Sequence, residues 1–294
     1  MEYPKLTAFS GYMPLENIQD KDLALEIQTL LVIGGFLKPG KVNFSSTREA
    51  FIKFKESAYL TGANELGKST ADALLKLAGV GKKKPTTLAE RIIAYCEDKD
   101  YQIDRNPGEK NIIYVEGMNP DGTLNEDKLN VWNDLRIVIE FKNDKPEIIG
   151  CWQATTEPGR YYVVNPINSK GAARIAFGQY RAWQLGPHGN SDRHEALIQT
   201  GGPVTVHRDK NRDGSRAGDM VESGYFGINQ HWGGDSPESD IGRWSAGCQV
   251  GRTRQGHREF MKIVKSDPRF LKNNRYVFSS IIIPGDDLVQ KYPA

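Results

Sequence analysis

Apolar residues recur every three or four positions in three segments of the first 80 residues, which predicts three amphipathic helices. Their apolar faces are formed by Leu23, Ile27, Leu30 and Leu31, by Ala50, Phe51, Phe54 and Ala58, and by Ala71, Leu74, Leu75 and Leu77. Asp20, Ser45 and Ser69 stand at the starts of these segments, where side-chain oxygens cap helix N-termini. Residues 1–80 are therefore predicted to form a compact helical domain, near the lower size limit for independent folding.

The spacing of hydrophobic residues is less regular between residues 81 and 135. Lysines and glycines at 79–85 predict a solvated linker, and Thr86 and Thr87 precede one further helix that ends near Asp98. A polar stretch with turn sequences at 106–108 and 119–122 follows. We interpret 81–135 as a linker with a connecting helix, or as an insertion of the next domain.

From residue 136 the hydrophobic period changes to that of short strands separated by glycine and proline. Residues 137–141 and 147–152 flank a turn and predict a β-hairpin. Further strands are predicted at 161–164, 173–176, 180–184, 196–199, 204–207, 225–229 and 276–283, with one helix at 256–265. The predicted fold is α+β and multidomain, with a mostly-β sandwich or barrel over 136–294.

Composition narrows the class of protein. The 294 residues are 38% hydrophobic and 26% charged with a net charge of +2, which is ordinary for a folded chain and does not favour nucleic-acid binding. No run reaches the roughly 18 apolar residues of a membrane span, so no membrane partner is expected. Three cysteines without zinc-finger spacing predict neither a disulfide framework nor a metal site. We expect a monomer without a cofactor.

Cys248 stands apart from the other two cysteines because its neighbours are small. Cys96 and Cys151 follow aliphatic runs, whereas Cys248 follows Ser245-Ala246-Gly247, and His231 lies 17 positions upstream. A thiol becomes a nucleophile as a thiolate, which a nearby imidazole can generate, and glycine lets a substrate approach backbone amides that hold an oxyanion. This pattern indicates covalent acyl transfer.

Three segments of the C-terminal part resemble those of L,D-transpeptidase catalytic domains, in the same order. They are Thr155-Thr156-Glu157-Pro158-Gly159-Arg160-Tyr161, Ile228-Asn229-Gln230-His231-Trp232-Gly233 and Ser245-Ala246-Gly247-Cys248-Gln249-Val250. The resemblance implies a mostly-β enzyme that acts on peptidoglycan stem peptides. It implies that Cys248 attacks a carbonyl carbon, that His231 is the base, and that the Gly247 and Cys248 amides form the oxyanion hole.

The resemblance also implies where the substrate binds. Residues beside the predicted pair are the expected substrate-binding residues, namely Trp232, Gly233, Arg243, Trp244 and Arg252. The chain departs from the family at Ala246, where a second histidine is usual, and at Val250, where an arginine is common. Arg243, Arg252 or Arg254 is expected to replace that arginine, and Ser245 is expected to support the loop.

The N-terminal helices resemble the three-helix peptidoglycan-binding domain often joined to cell-wall enzymes. The matching positions are Ile27-Gln28, Leu30-Leu31 and Gly34, then Thr47, Ala50 and Phe54, then Gly67, Thr70 and Leu74. The resemblance implies bacterial peptidoglycan as the partner and action in the cell envelope. Because the sequence begins without a signal peptide, we expect delivery by phage lysis or a non-classical route, unless the chain has been trimmed.

Several alternatives remain open at this point. A phage-type or effector endopeptidase and an inactive wall-binding or virion structural protein both fit the same fold. Residues 209–214 match the opening of a calcium loop but lack its final glutamate, so we predict a polar turn. His188, His194 and His207 offer a metal-peptidase alternative without a recognised zinc spacing, and His257 is predicted to lie on the surface.

Overall fold

A computed structural model describes residues 2–40, 43–79 and 85–294. The chain forms two compact units, 1–84 and 85–294. Most of the predicted linker at 79–85 lies outside the described residues. Among the helices in the described ranges, none combines the length and apolar character needed to cross a membrane.

The first unit contains short and long helices around one apolar core. Its elements are α1 (Pro4–Ala8), β1 (Tyr12–Pro14), a 3₁₀ turn (Leu15–Asn17), α2 (Lys21–Ile33), α3 (Phe44–Ser57), β2 (Glu65–Gly67) and α4 (Lys68–Leu77). Strands β1 and β2 pair antiparallel, an element that the helical pattern did not predict. Ile27, Leu30, Phe54 and Leu74 are buried in the core, so the positions that carry the N-terminal resemblance are largely packing positions.

The second unit begins with α5 (Leu88–Asp98), β3 (Asn111–Glu116), β4 (Asp134–Lys142), β5 (Lys145–Thr155), α6 (Arg160–Val164), β6 (Ala172–Ile175) and β7 (Gly178–His188). It continues with β8 (His194–Gln199), β9 (Val204–Asp209), β10 (Met220–Gly224), β11 (Gln230–Trp232), β12 (Gln249–Gly251), α7 (Arg254–Lys265), α8 (Pro268–Lys272), β13 (Phe278–Pro284) and α9 (Gly285–Lys291). The unit is therefore mixed α/β, as its strand and helix patterns predict.

Eight strands close into a barrel in the order β11-β12-β5-β4-β3-β13-β7-β8, and β10-β9-β6 form a separate sheet. Tyr114, Val138 and Leu197 belong to the cluster that packs with Phe260 of α7, whereas Ile113 and Ile137 pack with α5 and α9. Alternate residues of a strand face opposite sides, so the barrel strands β3 and β4 are buried on both faces.

Strand β3 corrects the expected domain boundary. It pairs with β4 and β13 in the barrel, and all six of its residues are buried. The second unit therefore starts at Pro85 rather than at residue 136, and residues 85–135 are part of it. A strand buried on both faces lacks alternation, which is why the sequence pattern missed it.

Two predicted strands are wrong. Residues 161–164 lie in helix α6, whose first turn closes when Tyr162 N–H donates to Gly159 O. Residues 225–229 are irregular because Gln199 Oε1 accepts the amides of Phe226 and Ile228, which replaces a strand ladder. The predicted hairpin at 137–152 is confirmed as β4 and β5, which turn at Asn143 and Asp144.

Candidate active site

Cys248 lies directly before β12 and lines a cavity of about 450 Å³. Its Sγ accepts the Asn229 amide at 3.4 Å, and its S–H donates to Gly227 O at 3.5 Å. Burial raises the pKa of this thiol to about 11, although the Asn229 amide opposes the increase. The resting group is therefore a neutral thiol whose proton points at a backbone carbonyl.

Ser245 holds the loop that presents the thiol. Its hydroxyl is buried, donates to Cys248 O at 2.8 Å and accepts Gly247 N–H at 3.1 Å. This agrees with the predicted supporting role, but it changes the expected oxyanion hole because the Gly247 amide is already bonded. The Cys248 amide donates to no group among the residues that the structure describes, so it is the available oxyanion donor.

Gly247 is required where the loop passes β6. Its φ is +127°, and a Cβ placed there would lie 2.4 Å from Ala173 O. Only glycine adopts this conformation freely and allows so close an approach. The backbone beside the thiol is therefore fixed by contact with Ala173.

The segment with the threonine-proline-glycine resemblance meets this loop in space. Gly159 N–H donates to Ser245 O at 2.9 Å, and a Cβ on Gly159 would lie 2.3 Å from Gly242 O. Segments separated by more than 80 residues in sequence thus converge around Cys248. Their convergence was expected from the resemblance rather than from local pattern.

His231 lies in β11, which runs parallel to β12 and pairs His231 with Val250. The Gln249 amide donates to Asn229 O, so the pairing extends to Cys248 and places His231 and Cys248 on the same face. In ideal strand geometry, a spacing of about 4.8 Å between strands and two residues of rise put such a diagonal pair of Cα atoms about 8 Å apart. Within the described ranges, no hydrogen bond joins the two side chains.

The protonation state of His231 follows from its partner. Its Nδ1 lies 2.8 Å from Trp232 O, and a carbonyl can only accept, so Nδ1 carries the proton and Nε2 has the lone pair. Burial, followed by the neighbouring His188, lowers the pKa of His231 well below its usual range. The tautomer suits a general base, but the imidazolium form is disfavoured in the resting site.

The imidazole of His231 belongs to a stacked cluster. It stacks on His188 at a centroid distance of 4.0 Å, and His194 stacks on Trp232 at 3.8 Å. His188 Nδ1 also contacts Asn229 Nδ2 at 3.1 Å, which connects the cluster to the residue whose amide meets the thiol. Sequence reasoning considered His188 only as a metal ligand; its pairing with His194 across the β7–β8 hairpin was the available signal.

His257 is buried, so the expected surface position is wrong. Its Nδ1 lies 3.0 Å from Arg136 Nη1 and its Nε2 lies 2.8 Å from Glu195 O. The amphipathic pattern of α7 places it on the same face as Phe260 and Met261. The histidines do not form a three-ligand metal group in the described part of the chain.

Arg136 was also missed by sequence reasoning. It is fully buried and donates to Tyr114 Oη at 2.6 Å and to the carbonyls of His231 and Gln249, each at 3.1 Å. One guanidinium thus joins β11, which carries the predicted base His231, to β12, which follows Cys248. An arginine inside an apolar strand sequence was the signal for such a role.

The five predicted substrate-binding residues do not line the Cys248 cavity. Trp232 donates its indole N–H to Asp192, and Arg252 donates to Gln153 Oε1 and Ser236 O.

The other three predicted substrate-binding residues also make packing contacts. Arg243 lies over the Tyr161 ring, Gly233 abuts Trp132, and Trp244 abuts Gly234. All three residues thus lie in packing contacts outside the cavity that Cys248 lines, and their role in substrate binding stays a prediction.

The cavity has a different lining. Tyr162, Ile167, Tyr225 and Phe226 provide an apolar and aromatic wall, and Ala246 lies beside the thiol. The cationic group is Arg208, which is buried and bonded to Glu222 at 2.5 Å. These residues come from α6, β9 and loops and share no sequence motif, which is why they were not predicted.

The calcium-like loop forms a polar turn. Asp209 accepts the amides of Asp213 and Gly214, and Asn211 donates to Asp213. His207 and Asp209 do not join a three-ligand group among the described residues. The carboxylates are used within the turn, as predicted.

No protein-family model matches the chain, and no curated protein matches it. A solved structure from Clostridium acetobutylicum is described as a fused Zn-dependent amidase/peptidase/peptidoglycan-binding domain-containing protein. It is similar at 13% identity, with 93% of this chain and 100% of that chain covered and a TM-score of 0.25. A likeness of this size does not establish a shared fold.

Proposed function

We propose that this chain is a cysteine acyltransferase of the L,D-transpeptidase or L,D-carboxypeptidase type that acts on peptidoglycan stem peptides. The observation that carries the proposal is the position of Cys248. Its thiol faces a cavity, its own amide is unbonded among the described residues, and its loop is fixed by Ser245 and Gly247. A thiol beside a free amide is the arrangement that acyl transfer needs.

The reaction begins when Cys248 Sγ attacks the carbonyl carbon of a stem-peptide amide. The thiol proton passes to His231 Nε2, the only ring nitrogen of His231 with a free lone pair, and then to the departing amine. The C–N bond breaks as the C–S bond forms, which leaves a thioester. An amine acceptor or water then cleaves the thioester, and these outcomes are transpeptidation and hydrolysis respectively.

The resting geometry requires one rearrangement before this step. The thiol donates to Gly227 O rather than to the imidazole, so it must turn toward His231. The low basicity of His231 also favours the neutral pair until substrate is bound. We therefore expect reactivity to depend on the occupied cavity.

The stem-peptide substrate is supported by the three ordered segments that resemble L,D-transpeptidases and by the N-terminal resemblance to a wall-binding domain. Tethering a catalytic unit to an insoluble polymer raises its effective concentration there. The cavity of about 450 Å³, with aromatic walls and Arg208, is large enough for part of a peptide.

The test is digestion of purified sacculi by the full chain and by Cys248→Ala, followed by mass analysis of muropeptides. New cross-linked dimers identify a transpeptidase, trimmed stems a carboxypeptidase, and lost cross-links an endopeptidase. Cys151→Ala is the matched control because Cys151 is a half-buried thiol outside the cavity. Turnover by Cys248→Ala equal to wild type would refute the proposal.

A non-catalytic wall-binding protein is the second candidate. The neutral thiol and the missing bond between Cys248 and His231 favour it. Incubation with a carbapenem separates the two candidates, since an acyl adduct on Cys248 supports the enzyme. Binding to sacculi without an adduct or turnover supports the non-catalytic protein.

A further inference from the structure

Four carboxylates from separate segments of the second unit lie close together. Glu116 ends β3, Asp134 begins β4, Glu157 follows β5, and Asp127 lies in the loop before β4. Glu116 is fully bonded, because both of its oxygens accept from Arg216 at 2.6 Å. The other three carboxylates each place an oxygen within 4.8 Å of the others.

Among the residues that the structure describes, Glu157 has an ion pair with Arg174 but accepts no hydrogen bond. Its side chain is 1% exposed, and neither carboxylate oxygen accepts a hydrogen bond. The nearest cation is Arg174 Nη2, at 3.6 Å from Oε1, which is too long for a hydrogen bond. A buried carboxylate without a donor is costly, so its presence calls for a ligand.

Asp127 and Asp134 present further free oxygen sites around Glu157. Asp127 Oδ1 is buried without a hydrogen bond. Asp134 Oδ1 accepts Gly117 N–H, and Oδ2 accepts Thr156 N–H with the Thr156 hydroxyl at 2.9 Å, so Oδ1 is the oxygen that keeps a lone pair. These bonds orient the carboxylate without satisfying it fully.

The charges in the cluster do not balance. If all four carboxylates are ionised they contribute −4, and Arg174 and Arg216 contribute +2, which leaves −2 in a buried region. One divalent cation cancels this charge. Oxygens up to about 5 Å apart can share a Ca²⁺ ion, whose bonds are about 2.3–2.6 Å long, whereas Mg²⁺ needs a tighter set.

We propose that Asp127, Asp134 and Glu157 bind a hard divalent cation of calcium size. The site does not depend on the proposed activity. It is distinct from the calcium-like loop at 209–214, whose carboxylates bond within their own turn.

The cation stabilises the backbone that surrounds the nucleophile. Glu157 lies two residues before Gly159, which bonds Ser245 O, and Arg174 follows Ala173, which abuts Gly247. The link from Glu157 to Gly159 and the link from Arg174 to Ala173 are each one or two residues long and consist of buried residues. Loss of the ion is therefore expected to loosen the Cys248 loop.

The experiment measures calcium binding by calorimetry and thermal unfolding of the full chain in EDTA, CaCl₂ or MgCl₂. We expect one site and a rise in Tm of about 5–10 °C at Ca²⁺ 100-fold above Kd. Glu157→Gln should abolish the response. In EDTA this variant should unfold at a higher temperature than wild type, because it removes a buried carboxyl group whose oxygens accept no hydrogen bond.

Two further variants keep the test decisive. Asp127→Asn, at a half-buried position, should weaken calcium binding even if Glu157→Gln does not fold. Asp213→Asn, in the calcium-like loop, should leave the response unchanged. An equal response to Mg²⁺ would overturn the calcium assignment, and a response lost only in Asp213→Asn would overturn the site.

The competing occupant is a proton. Burial and the neighbouring Glu116 raise the pKa of Asp134 to about 7, so shared protons could neutralise the cluster without metal. Calorimetry then shows no calcium or magnesium heat, and Glu157→Gln raises Tm equally in every buffer. That combination would refute the proposal.

Discussion

The rate at which Cys248 reacts with an electrophile should keep rising up to about pH 10, whereas the rate of an activated thiol levels off at a lower pH. A pKa of about 11 leaves about one thiol in 10⁴ ionised at pH 7, against about one in 100 for a thiol with its ordinary pKa of 9.0. Alkylation at pH 7 should therefore be about 100-fold slower than that of an exposed cysteine. Each pH unit up to about 10 should raise the rate tenfold.

The assay is timed iodoacetamide labelling between pH 5 and pH 10, with peptide mapping to quantify each cysteine separately. Cys151 is the internal control, because burial raises its pKa to about 11 as well and it lies far from His231 in sequence. The two thiols should give parallel pH profiles. His231→Ala should leave the Cys248 profile unchanged in the absence of substrate.

A plateau in Cys248 labelling below pH 8 would refute this reasoning. Such a plateau indicates a thiolate–imidazolium pair in the resting site, and His231→Ala should then abolish it. The structure argues against that pair because burial of the His231 ring and the neighbouring His188 both disfavour the imidazolium form of His231.

Two further substitutions test contacts that stabilise the second unit. Gly247→Ala should destabilise the chain more than Gly218→Ala, because both glycines have positive φ but only a Cβ at 247 would meet a backbone oxygen, Ala173 O. Chemical denaturation should show a loss of about 2–4 kcal/mol for Gly247→Ala and about 1 kcal/mol for Gly218→Ala. Equal losses would contradict the steric argument. Asp267→Asn should cost about 1–3 kcal/mol at pH 7, because its carboxylate accepts four hydrogen bonds, three of them from Arg269. Burial alone would raise the pKa of Asp267, but these bonds lower it, so its contribution is present above pH 4 and is lost as the pH falls further. Unfolding curves between pH 2 and pH 7 should show the difference between Asp267→Asn and wild type shrinking below pH 4, and a constant difference would argue against the charge.

A helix with a single buried face and a hairpin with a clear turn sequence could be predicted from the sequence. Helix α2 buries Leu23, Ile27 and Leu30 at helical spacing, and the β4–β5 hairpin turns at Asn143 and Asp144, which accept positive φ. Strand β3 could not be predicted in this way, because burial on both faces removes the alternation. Helix α6 was missed because its β-branched residues favour strands, while tertiary contacts at Gly159 decide its start.

Cys248 could be singled out from the sequence, but the residues around it could not. Glycine and serine beside Cys248 gave a local signal, and the predicted role of Ser245 agrees with its bonds. The cavity wall comes from Tyr162, Arg208 and Phe226, which the fold brings together from a helix, a strand and a loop. The acidic cluster likewise joins four distant segments, so no spacing rule identifies it.

The substitution at Ala246 has a local meaning in this geometry. The loop is held by Ser245 and Gly247, so a side chain at 246 is not needed to shape it. Ala246 instead lines the cavity beside Cys248, where the resembled family usually has a histidine. A methyl group in that place enlarges the cavity and removes a titratable group from it. Under the proposed mechanism, we therefore expect Ala246 to influence which acceptor enters the cavity rather than the attack by Cys248.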